Sequence, residues 1–148
     1  MKGPVTIDAS VFVNAFSPSE TGSDTSVKLL DQLRQKGIAV IVPTLLLPEI
    51  AAAIARKQGN AELALVLTDQ VRKLPLLTLV PLDETLADSS SETAAHHRLR
   101  GSDAVYAAVS LRFGSLLVTL DQEQGERLKE VLSVHSPTQA LESLEKRP

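Results

Sequence analysis

The stretch RGSDAVYAAVSLRFGSLLVTLDQE, residues 100–123, carries a helix pattern, a turn and a strand in succession, with an aspartate near each outer end. Ser102 is placed to cap the apolar run SDAVYAAVSLRF, and Gly114 follows where a helix would stop. A helix over 102–113 runs about 16 Å at about 1.5 Å per residue. A strand over 115–120 returns roughly 20 Å at about 3.3 Å per residue. The chain goes out and comes back, so Asp103 and Asp121 are predicted to finish at one edge of a sheet.

The rest of the chain repeats this alternation. Short β-rich runs at Val5–Ile7, Ile38–Val42, Leu76–Val80, Leu116–Leu120 and, more weakly, Val131–His135 are separated by helical patterns. That order is the signature of parallel strands joined by crossover helices. Val27, Leu29, Leu30 and Leu33 form one apolar helix face ahead of Gly37. LLLPEIAAAIARKQG, NAELALVLTDQVRKL and DETLADSSSETAAHH read as further helices, Pro48 either starting or kinking the first. A short segment at 122–130 and a tail helix after Pro137 follow, and SPSETGSDTS, residues 17–26, reads as a polar loop.

The expected architecture is therefore α/β with a central parallel sheet of about five strands, in one domain spanning 1–148. With no cysteine, thiolate metal sites, disulfides and thiol nucleophiles are excluded. The lysine near the N-terminus precedes only a short apolar run broken by Asp8, so neither a signal peptide nor a membrane span is expected, and the cytoplasm is the expected location. A net charge of −3 gives no field for a dedicated duplex binder, and 3% aromatics leave little for base stacking.

Asp8 closes the first strand run, and Glu49 lies early in the helix after the second, so four acids, Asp8, Glu49, Asp103 and Asp121, converge on the rim at the carboxyl ends of the strands. Two carboxylates about 4 Å apart repel by roughly 4 kcal/mol at an effective dielectric near 20. Such a rim needs either shared protons or a hard cation, and an all-oxygen donor set favours Mg²⁺ or Mn²⁺, one or two ions. Arg98 and Arg100 supply only part of the compensating charge. Ions of that kind suit phosphodiester hydrolysis and let an acidic protein hold a polyanion.

VTIDASVFVNAF around Asp8, VPTLLLPEI around Glu49, RGSDAVYAAV around Asp103 and LLVTLD around Asp121 together resemble the PIN-domain nucleases, especially the VapC-type toxins of prokaryotic toxin–antitoxin pairs. The resemblance spans nearly the whole chain. It implies a three-layer α/β/α sandwich and a Mg²⁺- or Mn²⁺-dependent ribonuclease, often homodimeric, held inactive by a cognate antitoxin. By position it makes Asp8, Asp103 and Asp121 metal ligands, Glu49 a fourth catalytic acid, and Ser10 and Thr119 supporting hydroxyls. Two departures stand out: Pro48 directly precedes Glu49, and TLDQEQGERL lacks the aromatic often found after the last aspartate, leaving Glu123 or Gln124 to supplement the site.

Each residue also has a plainer reading. Asp8 and Asp121 could be helix caps, Asp103 a favourable charge at a helix N-terminus, and Glu49 a solvated carboxylate. Arg56 and Lys57 read as cations complementing a helix C-terminus, and the adjacent His96 and His97 cannot both face one metal from a regular helix. HHRLRG could guide RNA or form a solvated loop. The competing functions are a non-catalytic binding module on the same fold and an aspartate phosphotransfer protein. The latter would need a second acid two residues after Asp8 and a strand-end lysine, and neither is present.

Overall fold

The computed structural model describes residues 3–146. Five strands, β1 (Val5–Ile7), β2 (Val40–Pro43), β3 (Leu77–Val80), β4 (Leu116–Val118) and β5 (Val134–His135), form one all-parallel sheet in the order β3-β2-β1-β4-β5. The helices are α1 (Ala9–Ala15), α2 (Ser23–Gln35), α3 (Leu46–Gln58), α4 (Ala61–Arg72), α5 (Glu84–His97), α6 (Gly101–Phe113), α7 (Gln122–Leu128) and α8 (Pro137–Glu145). They cover both faces of the sheet, giving the expected three-layer α/β/α sandwich.

β1 is central and fully buried, as its apolar and threonine side chains require when both sheet faces are covered. The chain winds outward from β1 through β2 to β3, then crosses back to lay β4 and β5 on the other side. The topological switch point therefore lies between β1 and β4, and ligands of such sheets bind outside the carboxyl ends of the strands there. Asp8 directly follows β1, and Asp121 stands three residues past β4.

Helix α6 is buried around its whole circumference from Ala104 to Ser110, packing on β1, β2 and β4 beneath α5. Its alanines let the backbone approach the sheet closely, while Tyr106 and Val109 supply apolar bulk, each burial contributing about 1.5–3 kcal/mol. Its N-cap is Arg100 without a side-chain cap bond, so the expected cap at Ser102 is corrected. The Arg100 carbonyl accepts the first helical bond, from the Ala104 N–H, and packing against α5 and the sheet stabilises the helix.

Other boundaries differ from expectation. β2 begins at Val40, β4 ends at Val118 and β5 is two residues, all shorter than the apolar runs; of the run ends left outside the strands, Ile38 and Leu132 pack on the core while Leu120 and Val131 are exposed. Helix α2 buries Ser26, Leu29 and Leu33 and leaves Val27 exposed, and it starts at Ser23, inside the expected loop. Helix α1 is not signalled by the sequence pattern, since its Val11-Phe12-Val13 core mimics a strand run; Asp8 caps it and all three side chains are buried. Among the described residues no helix is long and apolar enough to cross a membrane.

Candidate active site

The end of β1 and the start of α1 fix Asp8. Its carboxylate caps the helix, with Oδ2 accepting from the Ser10 N–H at 3.3 Å, the Ser10 hydroxyl at 2.6 Å and the Thr119 hydroxyl at 3.2 Å. Ser10 Oγ in turn accepts from the Leu120 N–H, and Thr119 Oγ1 from the Asp121 N–H. The two hydroxyls thus tie the β1 and β4 ends together around one carboxylate, and Asp8 both caps α1 and lines a cavity at the rim.

Glu49 lies in the first turn of α3, where Pro48 is tolerated because the N–H groups there have no helical partner. Pro48 is exposed and does not carry Glu49 away. Tyr106 of α6 donates to Glu49 Oε1 at 2.5 Å. Burial pushes Glu49 above the ordinary carboxylate range, the Tyr106 hydroxyl pulls it back, and the charges of Asp8 and Asp103 push it up again. Burial and the Glu49 charge hold the Tyr106 phenol well above its usual value, so it remains a donor.

Asp103, in the first turn of α6, is also raised, chiefly by burial and then by Asp8, with Arg100 opposing and Asp121 adding to the rise. Arg100 spans two acids: Nε lies 3.5 Å from Asp103 Oδ2 and Nη2 3.4 Å from Asp121 Oδ2. Asp121 caps α7 through Oδ1, which accepts from the Glu123 and Gln124 N–H groups.

Asp8, Glu49, Asp103 and Asp121 line one cavity of about 450 Å³, together with Ser10 and Arg100. Glu20, Arg56 and Lys57 line it as well. The helix-end reading of the two cations is therefore incomplete: they close α3 and face the cavity, where Lys57 pairs with Glu20. Sequence reasoning misses Glu20 because it falls in the polar loop, and it is placed by Asn14, whose amide donates to Glu20 Oε1 and to the Thr21 carbonyl. It misses the bond from the Tyr106 hydroxyl to Glu49 because an apolar helix gives no sign of where one hydroxyl points.

Glu123 pairs with Arg127 instead of entering this cavity, and Gln124 is buried, its amide donating to the Asp103 carbonyl at 3.2 Å. His96 and His97 do not line the cavity.

No three histidine, aspartate or glutamate side chains among the described residues are gathered closely enough to grip one ion. The donor set nevertheless fits a hard cation. Asp8 Oδ1, Asp103 Oδ1 and Glu49 Oε2 accept none of the described hydrogen bonds, while their sister oxygens are held in place. A small divalent ion of that class keeps several waters and takes one or two carboxylates directly.

The family model for the PIN domain matches residues 5–130. This chain belongs to the PIN domain family. No curated protein sequence matches it closely enough to count as a relative. Among solved structures, the PIN domain resembles VapC20 of Mycobacterium tuberculosis, described as a sarcin–ricin loop cleaving toxin, with a TM-score of 0.69 and 16% identity over 82% of this chain and 93% of that one. It resembles PAE2754 of Pyrobaculum aerophilum with a TM-score of 0.72 and 17% identity over 98% and 91% of the two chains. A toxin–antitoxin complex from Klebsiella pneumoniae matches with a TM-score of 0.63 and 14% identity over 90% and 97%. At these identities the likeness is one of fold.

Proposed function

We infer that this PIN domain is a divalent-metal-dependent endoribonuclease, the toxin of a toxin–antitoxin pair. The observation that carries the reading is the convergence of Asp8, Glu49, Asp103 and Asp121 on one cavity at the switch point of the sheet, with hydroxyls orienting the first of them. The family membership and the toxins among the structural neighbours support it.

In this reading Asp8, Asp103 and Asp121 hold one or two Mg²⁺ or Mn²⁺ ions, directly or through water. The bound ion supplies Lewis-acid chemistry, polarising the phosphoryl group and lowering the pKa of water. Ser10 and Thr119 keep Asp8 oriented, as outer partners of metal ligands do. Glu49, held by Tyr106 and raised above the ordinary carboxylate range chiefly by burial, is suited to orient the attacking water and accept its proton. Arg56 faces the same cavity and offers a positive partner to the RNA backbone.

Water attacks phosphorus, the bond to the 3′ oxygen breaks and that oxygen takes a proton, leaving a 5′-phosphate and a 3′-hydroxyl. A cognate antitoxin covering the cavity, a homodimeric assembly and a cytoplasmic location accompany this reading.

Incubating pooled cellular RNA with the protein and Mn²⁺ tests it. Cleavage that stops with chelator, disappears in Asp8→Asn and Asp103→Asn, and leaves ligatable 5′-phosphate ends is the expected result. Cleavage that persists in both variants would refute the site.

A further inference from the structure

Arg100 stands where a cation is needed and does so weakly. Its guanidinium lies 3.5 Å from Asp103 Oδ2 and 3.4 Å from Asp121 Oδ2, yet its side chain is 79% exposed. An ion pair so exposed contributes little to stability. The guanidinium can leave the carboxylates by swinging its exposed side chain away from them.

Asp121 makes that movement necessary. Its Oδ1 already accepts two backbone N–H groups at the start of α7, so Oδ2 is the oxygen left to offer an ion, and Arg100 is on it.

We propose that Arg100 is an internal counter-ion that holds the Asp103–Asp121 pair until the divalent cation arrives, yields both carboxylates to it, and is then free to grip an RNA phosphate. The inference rests on the metal-site reading above and adds a role for one residue.

The space for the released side chain is present. A second cavity of about 240 Å³ adjoins the acidic one and is lined by Arg98, Arg100, Asp103, Asp121 and Arg127 among others. Arg127 is engaged with Glu123 and the Arg98 carbonyl, whereas Arg98 makes none of the ion pairs among the described residues. A phosphate seated there would meet Arg98 and the displaced Arg100, the latter in the fork geometry guanidinium groups offer to phosphate oxygens.

The test is a calorimetric Mn²⁺ titration, without RNA, of wild type, Arg100→Gln and Arg98→Gln. Both arginines are exposed, so both variants should fold. Arg100→Gln is expected to bind Mn²⁺ about three- to fivefold more tightly than wild type, the upper part of what an exposed ion pair can account for. Arg98→Gln, which removes the same charge from the neighbouring position, should shift affinity by less than about twofold.

Equal tightening in both variants would overturn the displacement role and leave only a general field effect. Unchanged or weaker binding by Arg100→Gln, with wild type binding normally, would overturn the inference while the metal-site reading stands. Binding by none of the three proteins would defeat that reading and the inference with it. At saturating Mn²⁺, KM for RNA should rise about tenfold in Arg100→Gln, since a charged hydrogen-bonding group is lost, and an unchanged KM would overturn the phosphate role.

Discussion

Tyr106 of α6 donates its hydroxyl hydrogen to Glu49 of α3, joining the two helices that flank the acidic cavity across 57 residues of sequence. The bond favours the ionised form of Glu49 against burial and the neighbouring aspartates, which disfavour it. It thereby tunes the carboxylate that the proposed mechanism gives to water.

Tyr106→Phe should keep the fold, since the ring stays buried, and should cost on the order of 1 kcal/mol for the lost hydrogen bond. Without the hydroxyl, Glu49 rises further. The acid limb of the pH profile of kcat/KM is therefore expected to move to higher pH, and a profile unchanged from wild type would remove Glu49 from the protonation step.

Asp103→Asn should stabilise the protein while destroying activity. The native state holds the Asp103 proton more tightly than the unfolded chain does, because burial and Asp8 raise its pKa. Stability is thus present at low pH and is lost as pH rises from the unfolded value through the folded one. The variant is expected to melt higher than wild type at about pH 7.5, by on the order of 2–4 °C for each kcal/mol relieved. The gap should narrow toward zero at about pH 3.5, where the carboxylate is mostly protonated in both states. Thermal melts at the two pH values check the sign.

Ser10→Ala and Thr119→Val each remove one donor from Asp8 Oδ2. Loss of an outer partner of a metal ligand typically costs about 10–100-fold in affinity or activity. A loss in that range of Mn²⁺ affinity is expected for Ser10→Ala, whose bond to Asp8 is the shorter at 2.6 Å, and a smaller one for Thr119→Val at 3.2 Å.

Arg56→Gln should weaken RNA binding alike for every sequence. If Arg56 meets one phosphate, the slope of log K against log salt falls in magnitude by about 0.7, the single-strand value for one contact. Lys57, engaged by Glu20, should show a smaller change when replaced, and fluorescence titrations across salt concentrations compare the two.

Much of this arrangement is legible in the amino-acid sequence. The α6–β4 unit can be read because a helix followed by a strand that runs back along it returns Asp121, three residues past β4, to the edge where Asp103 begins, and Asp8 and Glu49 follow their strands closely enough to share it. Helix α1 is hidden, because Val11, Phe12 and Val13 are strand formers that tertiary packing holds in a helix. Glu20 is hidden with it, since its place depends on Asn14 folding the α1–α2 turn back over the rim. The fork of Arg100 across two acids is a matter of side-chain reach, which spacing along the chain does not encode.

The central claim, that these carboxylates form a metal site, is tested most directly by a calorimetric Mn²⁺ titration of wild type beside Asp8→Asn and Asp103→Asn. Saturable binding by wild type that is lost in both variants is the predicted result. Equal weak binding by all three proteins would contradict it.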